Sequence, residues 1–225
     1  MKKVILTVIV ILLLANVPVA RAEILIFNTS DSQFDLGVDN QGWWSNTWAN
    51  IDDNDDYTTG IFFDSDHRSF FTFDLSSLSL PVISATLELT RFNYVSYEDS
   101  ETLGLFDIST DAVTLNNNVG TSESIYDDLG SGISYGEFEI LREGTDVLSF
   151  ELNAAAIGDI NAAKGGWFSI GGALLSGSVS QLETQYFFGY SHDGGVQRLV
   201  LEVVPEPATF VLLGLGVLLF RMRHY

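Results

Sequence analysis

The sequence contains no cysteine, only 10 lysines and arginines, and only three histidines in 225 residues. The lack of cysteine excludes disulfide bonds, thiolate metal ligands and a cysteine nucleophile. Because 30 aspartates and glutamates oppose the basic residues, the formal net charge is −20. Nucleic acid is also an anion and would be repelled, so we expect no nucleic-acid partner. The aromatic content of 12% argues against a disordered chain, and the length fits one domain.

Residues 1–22 have the three parts of a secretory signal peptide. Lys2 and Lys3 supply the positive region, residues 4–15 are apolar, and Ala20 and Ala22 give the small-x-small pattern that signal peptidase needs. We therefore expect export and cleavage after Ala22. An uncleaved membrane anchor is the alternative, although the apolar run is short for a membrane span.

Residues 204–225 form a second three-part element. It consists of Pro205, Glu206 and Pro207, an uncharged apolar run over residues 208–220, and a tail that carries Arg221 and Arg223. A helix over this run would rise about 20 Å, against about 30 Å for the hydrocarbon core of a bilayer. The arginine pair would hold the tail in the cytoplasm. The hydropathy thus predicts a short C-terminal transmembrane helix.

This C-terminal element resembles the PEP-CTERM sorting signal of Gram-negative bacteria. In that family the signal holds the exported protein in the inner membrane until exosortase, a membrane protease, removes it. The resemblance therefore implies signal peptidase and exosortase as partners and a transient stay in the inner membrane. The final location would be the cell surface or the extracellular polymer matrix. A plain C-terminal anchor is the alternative.

The intervening residues 23–203 are predicted to form one all-β domain. Polar and apolar residues alternate in four segments, and five further segments read as strands. The nine segments are residues 24–27, 69–75, 84–91, 102–108, 137–141, 147–152, 167–170, 186–190 and 198–203. In residues 69–75, for example, Phe71, Phe73 and Leu75 face one side. This pattern is typical of antiparallel strands on a core and predicts a jelly-roll-like β-sandwich.

One alanine-rich segment, residues 153–164, departs from the strand pattern. Asn153 can cap the start of a helix, and Gly165 and Gly166 follow its end. We expect one short helix beside the sandwich.

The body also resembles a known domain type. Residues 68–78 and 83–89 are similar to the opening of DNRLRE-type β-sandwich domains, which are relatives of carbohydrate-binding modules. Residues 186–190 and 199–201 lie where such domains place their last strands. The resemblance implies a jelly-roll sandwich at the cell surface and no enzymatic activity.

An acidic stretch provides candidate ligands for Ca²⁺, which prefers oxygen donors. The candidates are Asp52, Asn54, Asp56, Asp64 and Asp66. The first three have the one-three-five spacing of an EF-hand loop. Residue 57 is tyrosine where the loop needs glycine, and residue 63, at position twelve, is phenylalanine, so an EF-hand is excluded. A solvated acidic loop without a metal is the alternative.

Four aromatic residues near this stretch are candidates for sugar binding: Trp43, Trp44, Trp48 and Tyr57. Aromatic rings stack on the C–H faces of sugars while carboxylates accept hydrogen bonds from hydroxyl groups, which would allow exopolysaccharide as a partner. The alternative is that these rings cover the core.

Catalysis finds little support in the sequence. Ser191, His192 and Asp193 are the three residue types of a hydrolytic triad, but neighbours in the chain cannot all point inward, so a turn is expected. We expect a non-catalytic, exported surface or matrix protein. A carbohydrate-binding module, with Ca²⁺ or without it, is the alternative, and a glycoside hydrolase that uses two of the many acids stays open.

Overall fold

The computed structural model describes residues 21–50, 55–62, 64–144, 146–176, 184–188 and 195–204. Of these residues, 50% lie in strands and 12% in helices. Most of the predicted signal peptide and the predicted C-terminal helix lie outside the described residues. Within the described part, no helix has the length and apolar character needed to cross a membrane.

The described chain has twelve strands and three helices. The strands are β1 (Glu23–Asn28), β2 (Gln41–Ser45), β3 (Thr58–Phe62), β4 (Ser65–Asp74), β5 (Val82–Thr90), β6 (Asn93–Val95), β7 (Ser100–Asp107), β8 (Ser134–Leu141), β9 (Val147–Glu151), β10 (Trp167–Leu174), β11 (Gln185–Phe188) and β12 (Gln197–Val203). The helices are α1 (Ala112–Asn116), α2 (Glu123–Asp128) and α3 (Ala154–Ala162). Each of the nine predicted strand segments overlaps a described strand, and residues 189 and 190 of the segment 186–190 lie outside the described residues. The predicted numbers of nine strands and one helix are wrong, because the sequence did not indicate β2, β3, β6, α1 or α2.

The strands form two antiparallel sheets. One has four strands in the order β1-β12-β5-β9, and the other has eight, in the order β6-β11-β3-β4-β10-β7-β8 with β2 also paired to β4. The prediction of an all-β fold with antiparallel sheets is confirmed.

The main core lies between the two sheets and follows the predicted alternation. Phe71 and Phe73 of β4 point into it, as does Leu75 directly after β4, together with Leu87 of β5 and Leu199 of β12. Each such side chain contributes about 1.5–3 kcal/mol by leaving water. The period-two pattern therefore identified the inward face of these strands correctly.

A second, smaller core covers the outer face of the eight-stranded sheet. It contains Trp44, Phe70, Leu115, Ile125, Tyr126 and Leu129. Asp111 caps α1 and Ser122 caps α2, since each side chain accepts a hydrogen bond from a backbone N–H of the first turn. Gly171 allows this layer to approach, because a Cβ there would lie 2.4 Å from the carbonyl oxygen of Leu129.

Helix α3 forms as predicted and attaches to the start of β5. The Asn153 side chain accepts hydrogen bonds from the backbone N–H groups of Ala155 and Ala156. The side chain of Asn161 donates to the carbonyl of Val82 and accepts from its N–H, each at 3.0 Å.

The sandwich has two ends that matter for function. The end formed by Glu23, Val82 and Val203 is here called the terminal end, because β1 starts and β12 finishes there. At the opposite end, here called the far end, Arg91 donates a hydrogen bond to the carbonyl of Leu141 at 2.8 Å. The nine residues of β5 separate the two ends by about 25–30 Å.

Candidate functional site

Both boundaries of the domain meet at the terminal end. Glu23 of β1 pairs with Val203 of β12, and Val203 pairs on its other side with Val82 of β5. The N–H of Val204 donates to the carbonyl of Pro81 at 3.1 Å. Strand β12 is therefore paired on both sides up to Val203, and Val204, directly before Pro205, is bonded to Pro81 next to β5.

The predicted signal-peptidase site lies beside the end of β12, at the terminal end of the sandwich. Strand β1 begins at Glu23, immediately after the exposed Ala22, whereas Ala20 lies outside the described residues. Cleavage after Ala22 would leave every residue of β1 in place. The cleavage itself stays a prediction.

The C-terminal boundary agrees with a family comparison. Residues 203–223 match the PEP-CTERM protein-sorting motif. The motif implies export, a membrane-anchored C-terminal sorting signal and processing by exosortase, a membrane protein. The predicted sorting residues all fall inside the matched range and outside the described part of the chain: Pro205, Glu206, Pro207, Arg221 and Arg223.

The match confirms the sorting-signal resemblance and fixes its start at the last residue of β12. No curated protein matches the chain. The resemblance of the body to DNRLRE-type domains stays a prediction.

Two of the four predicted sugar-binding residues are buried in different cores. Trp44 lies in the outer core, where its indole N–H donates to the carbonyl of Leu115 at 3.1 Å. Tyr57 lies in the main core, where its hydroxyl donates to the carbonyl of Thr90 at 2.8 Å and accepts from Gln197 at 3.1 Å. Burial raises the pKa of the Tyr57 hydroxyl, against the lowering effect of Gln197. Neither ring can reach a ligand, which removes both from the predicted sugar-binding face.

The other two tryptophans belong to an aromatic cluster near the far end, formed by Trp43, Trp48, Phe62, His67 and Tyr186. The ring centroid of His67 lies 4.6 Å from Trp43, 6.1 Å from Trp48 and 6.1 Å from Phe62. Phe62 also contacts Tyr186 at 5.0 Å. Trp48 is 43% exposed, so the cluster offers a ring surface to solvent.

His67 is the buried member of the cluster, and its ring contacts three of the other rings. It is buried, and its Nδ1–H donates to the carbonyl of Ser65 at 2.9 Å. Burial lowers the pKa of the imidazole, against smaller raising effects from the Ser65 carbonyl and Asp66. Burial therefore favours the neutral form of this ring, which packs against the other rings of the cluster.

The structure places three of the five predicted Ca²⁺ ligands: Asp56, Asp64 and Asp66. Asp52 and Asn54 lie outside the described residues. Asp64 is exposed at the turn before β4, with a φ of 62°, and Asp66 accepts a hydrogen bond from the Tyr126 hydroxyl. Among the described residues, no three histidine or acidic side chains are grouped to hold a metal ion.

Asp66 instead joins the sheet to the outer core. The guanidinium of Arg68 stacks over the Tyr126 ring at 4.1 Å and donates to the Tyr126 carbonyl at 2.9 Å. Burial, and then the hydrogen bond to Asp66, raises the pKa of the Tyr126 hydroxyl. Asp56 is half-buried and has its own contacts within the protein.

The structure adds an acidic contact that sequence reasoning missed. Asp55 accepts a hydrogen bond from the backbone N–H of Asp39 at 3.2 Å. Burial raises the pKa of Asp39, a hydrogen bond from Gln33 lowers it, and the charges of Asp55 and Asp31 raise it further. Sixteen residues separate Asp39 from Asp55, so no spacing motif could reveal this contact.

A cleft of about 330 Å³ also escaped the sequence analysis. It lies beside α3, near the terminal end, and combines the rings of Tyr135 and Trp167 with the carboxylates of Asp107 and Asp159. Both acids are used internally. Tyr135 donates to Asp159 at 3.0 Å, and the N–H of Ile133 donates to Asp107 at 2.6 Å.

The serine-histidine-aspartate run at residues 191–193 lies outside the described residues. Within the described part, the carboxylate of Glu101 is buried at the far end of the sandwich. It accepts hydrogen bonds from the hydroxyls of Ser96 and Ser176 and, at 3.4 Å, from the amide of Gln185. These bonds compensate the burial of the carboxylate and make it a structural group.

Proposed function

We propose that this chain is an exported, non-catalytic component of the cell surface or exopolysaccharide matrix of a Gram-negative bacterium. Signal peptidase removes residues 1–22, and the C-terminal segment then holds the body at the inner membrane. Exosortase releases the body by removing the sorting segment. The mature protein acts through its surface, as a structural or adhesive component.

The position of the sorting motif carries this proposal. The motif begins at Val203, the last residue of β12, and overlaps the described strands of both sheets at that one residue. Removal of the segment after Val204 therefore takes no strand from the sandwich. A detachable appendage on a complete domain suits a signal that is used once and discarded.

A variant of the motif tests the proposal. Replacement of Pro205, Glu206 and Pro207 by alanine should block processing, so that the protein stays at its higher mass in the inner membrane fraction. Thr209→Ala, inside the apolar run, is the matched control and should be processed normally. Unchanged size and location of the triple variant would refute the assignment.

Carbohydrate binding is a second candidate function, supported by the aromatic cluster at the far end. Its exposed ring, Trp48, is accompanied by the exposed carboxylate of Asp64 on the neighbouring turn. Rings beside carboxylates suit sugar recognition. The cluster lies at the end opposite the sorting segment, where a matrix polysaccharide has access to a tethered protein.

Calorimetry separates the two functions. The full chain, titrated with the host's own exopolysaccharide with and without Ca²⁺, should release heat that Trp48→Ala abolishes. Tyr97→Ala, at another exposed aromatic residue, is the control and should bind normally. Absence of heat from the unmodified protein would leave the structural role alone.

A further inference from the structure

We propose that the terminal end of the sandwich rests on the outer surface of the inner membrane while the protein is tethered, with Ile24 and Ile83 in contact with lipid. This inference rests on the proposed function, because it requires that the C-terminal segment enters the bilayer. It goes further by assigning the contact surface, the lipid partner and the orientation of the body.

Two exposed apolar side chains flank the point where the chain leaves the fold. Ile24 follows Glu23, the β1 partner of Val203, and is 57% exposed. Ile83 follows Val82, the β5 partner of Val203, and is 51% exposed. The register shifts between Glu202 and Val203, so that Ile83 has no partner in β12. Each isoleucine is thus adjacent in sequence to a residue that pairs with Val203, the last residue of β12.

The connection between the fold and the bilayer is too short to hold the body away. The hydrogen bond from Val204 to Pro81 fixes the last residue of the body, and the apolar run starts at Ala208. Four residues span at most about 14 Å when fully extended. The headgroup layer takes about 5–8 Å of that length. The remaining length of about 6–9 Å is comparable to the length of one or two side chains.

The length of the apolar run shortens the connection further. If the apolar run over residues 208–220 forms the predicted helix, it rises about 20 Å, less than the hydrocarbon core of about 30 Å. A span that is too short draws its flanking residues toward the bilayer. Because β12 is paired on both sides, this pull acts on the whole terminal end and not on a loose strand.

Charge does not supply this contact. Glu23 and Glu202 lie beside the two isoleucines, and anionic lipids would repel them. The tether and the apolar side chains must therefore hold the orientation. The test accordingly uses a zwitterionic lipid.

The absence of cysteine makes a direct test simple, since every introduced cysteine is unique. The chain from Glu23 to Tyr225, the form proposed to be tethered, is reconstituted into phosphatidylcholine vesicles and carries an environment-sensitive fluorophore at Ile24→Cys or Ile83→Cys. Leu141→Cys, 53% exposed at the far end, is the matched control. Spin-labelled lipid headgroups should quench most of the fluorescence at positions 24 and 83 and leave position 141 unchanged. Equal quenching at all three positions would overturn the proposal.

Flotation of the same vesicles distinguishes this failure from failure of the proposed function. If the chain does not float with the lipid, membrane anchoring fails and the contact surface fails with it. If the chain floats but positions 24 and 83 are not quenched, anchoring stands and only the contact surface is refuted. A flexible glycine-serine linker of about ten residues after Val204 should abolish the quenching and keep flotation. Quenching that survives the linker would refute the role of the short connection.

Discussion

Glu23 pairs with Val203 across β1 and β12, so the first and last residues of the sandwich lie side by side. The predicted signal peptide ends directly before Glu23, and the matched sorting motif begins at Val203. The two predicted processing steps, at Ala22 and in the sorting segment, would therefore act at one end of one sheet. The far end, with its aromatic cluster, stays clear of both steps.

Two neighbouring tryptophans should differ sharply in their roles. Trp44→Ala should lower the free energy of unfolding by about 3–5 kcal/mol, because the indole fills the outer core and donates to Leu115. Trp48→Ala should cost less than about 1 kcal/mol, because the ring is partly exposed. Urea denaturation of both variants measures the difference. Similar losses for the two would contradict the assignment of Trp48 to the surface.

Stability should fall in mild acid because of His67. Burial lowers the pKa of its imidazole below the ordinary 6.5, so the unfolded chain takes up a proton before the folded protein does. The stability contributed by the neutral ring is complete above pH 6.5 and is lost as the pH falls toward the lowered value. His67→Phe should flatten the stability profile in this window, measured as unfolding free energy against pH. An unchanged slope would show that other groups cause it.

Asp39→Asn should stabilise the protein at neutral pH. Burial, Asp55 and Asp31 raise the pKa of Asp39 in the folded protein. The contribution of this carboxyl group to the stability of the folded protein is therefore fully present below the ordinary pKa of 3.8 and is lost as the pH rises through the raised pKa. An amide removes this loss and can still accept the hydrogen bond from Gln33. Thermal unfolding at neutral pH should show a higher midpoint, and Asp35→Asn, at an exposed site, should show little change. A lower midpoint for Asp39→Asn would contradict the assigned cause.

The buried carboxylate of Glu101 should make Ser176 important for folding. The Ser176 hydroxyl donates to Glu101 and accepts from the backbone N–H of Thr102 at 2.7 Å. Ser176→Ala leaves both groups short of a partner and should cost about 1–3 kcal/mol. Ser149→Ala, on an exposed strand position, is the control for denaturant unfolding. Equal stability of the two variants would show that water replaces the hydroxyl.

The strands that sequence reasoning identified are those with one face on the main core. β4 was visible because Phe71 and Phe73 alternate with polar residues. β2 was missed because it is covered on both faces: Trp44 packs under the helices, and four of its five residues are buried. Such a strand has no period-two signal. α1 and α2 have five and six residues, too short to form without the sheet they cover.

The candidate sites show the same limit. Sequence could place Trp44 and Tyr57 near acidic residues, but which side of a sheet a ring occupies depends on partners far along the chain. Tyr57 is held by Thr90 and Gln197, and Gln197 is 140 residues away. The sorting signal was predictable because it is local: its order, spacing and terminal position are all contained in one short segment.

Mass spectrometry of the protein recovered from the cell envelope and from the extracellular matrix tests the central claim most directly. The account predicts that the matrix form begins at Glu23 and lacks the apolar run of residues 208–220, whereas the envelope fraction still contains chains that carry this run. An intact chain of 225 residues, dissolved in the cytosol with both termini uncut, would contradict it.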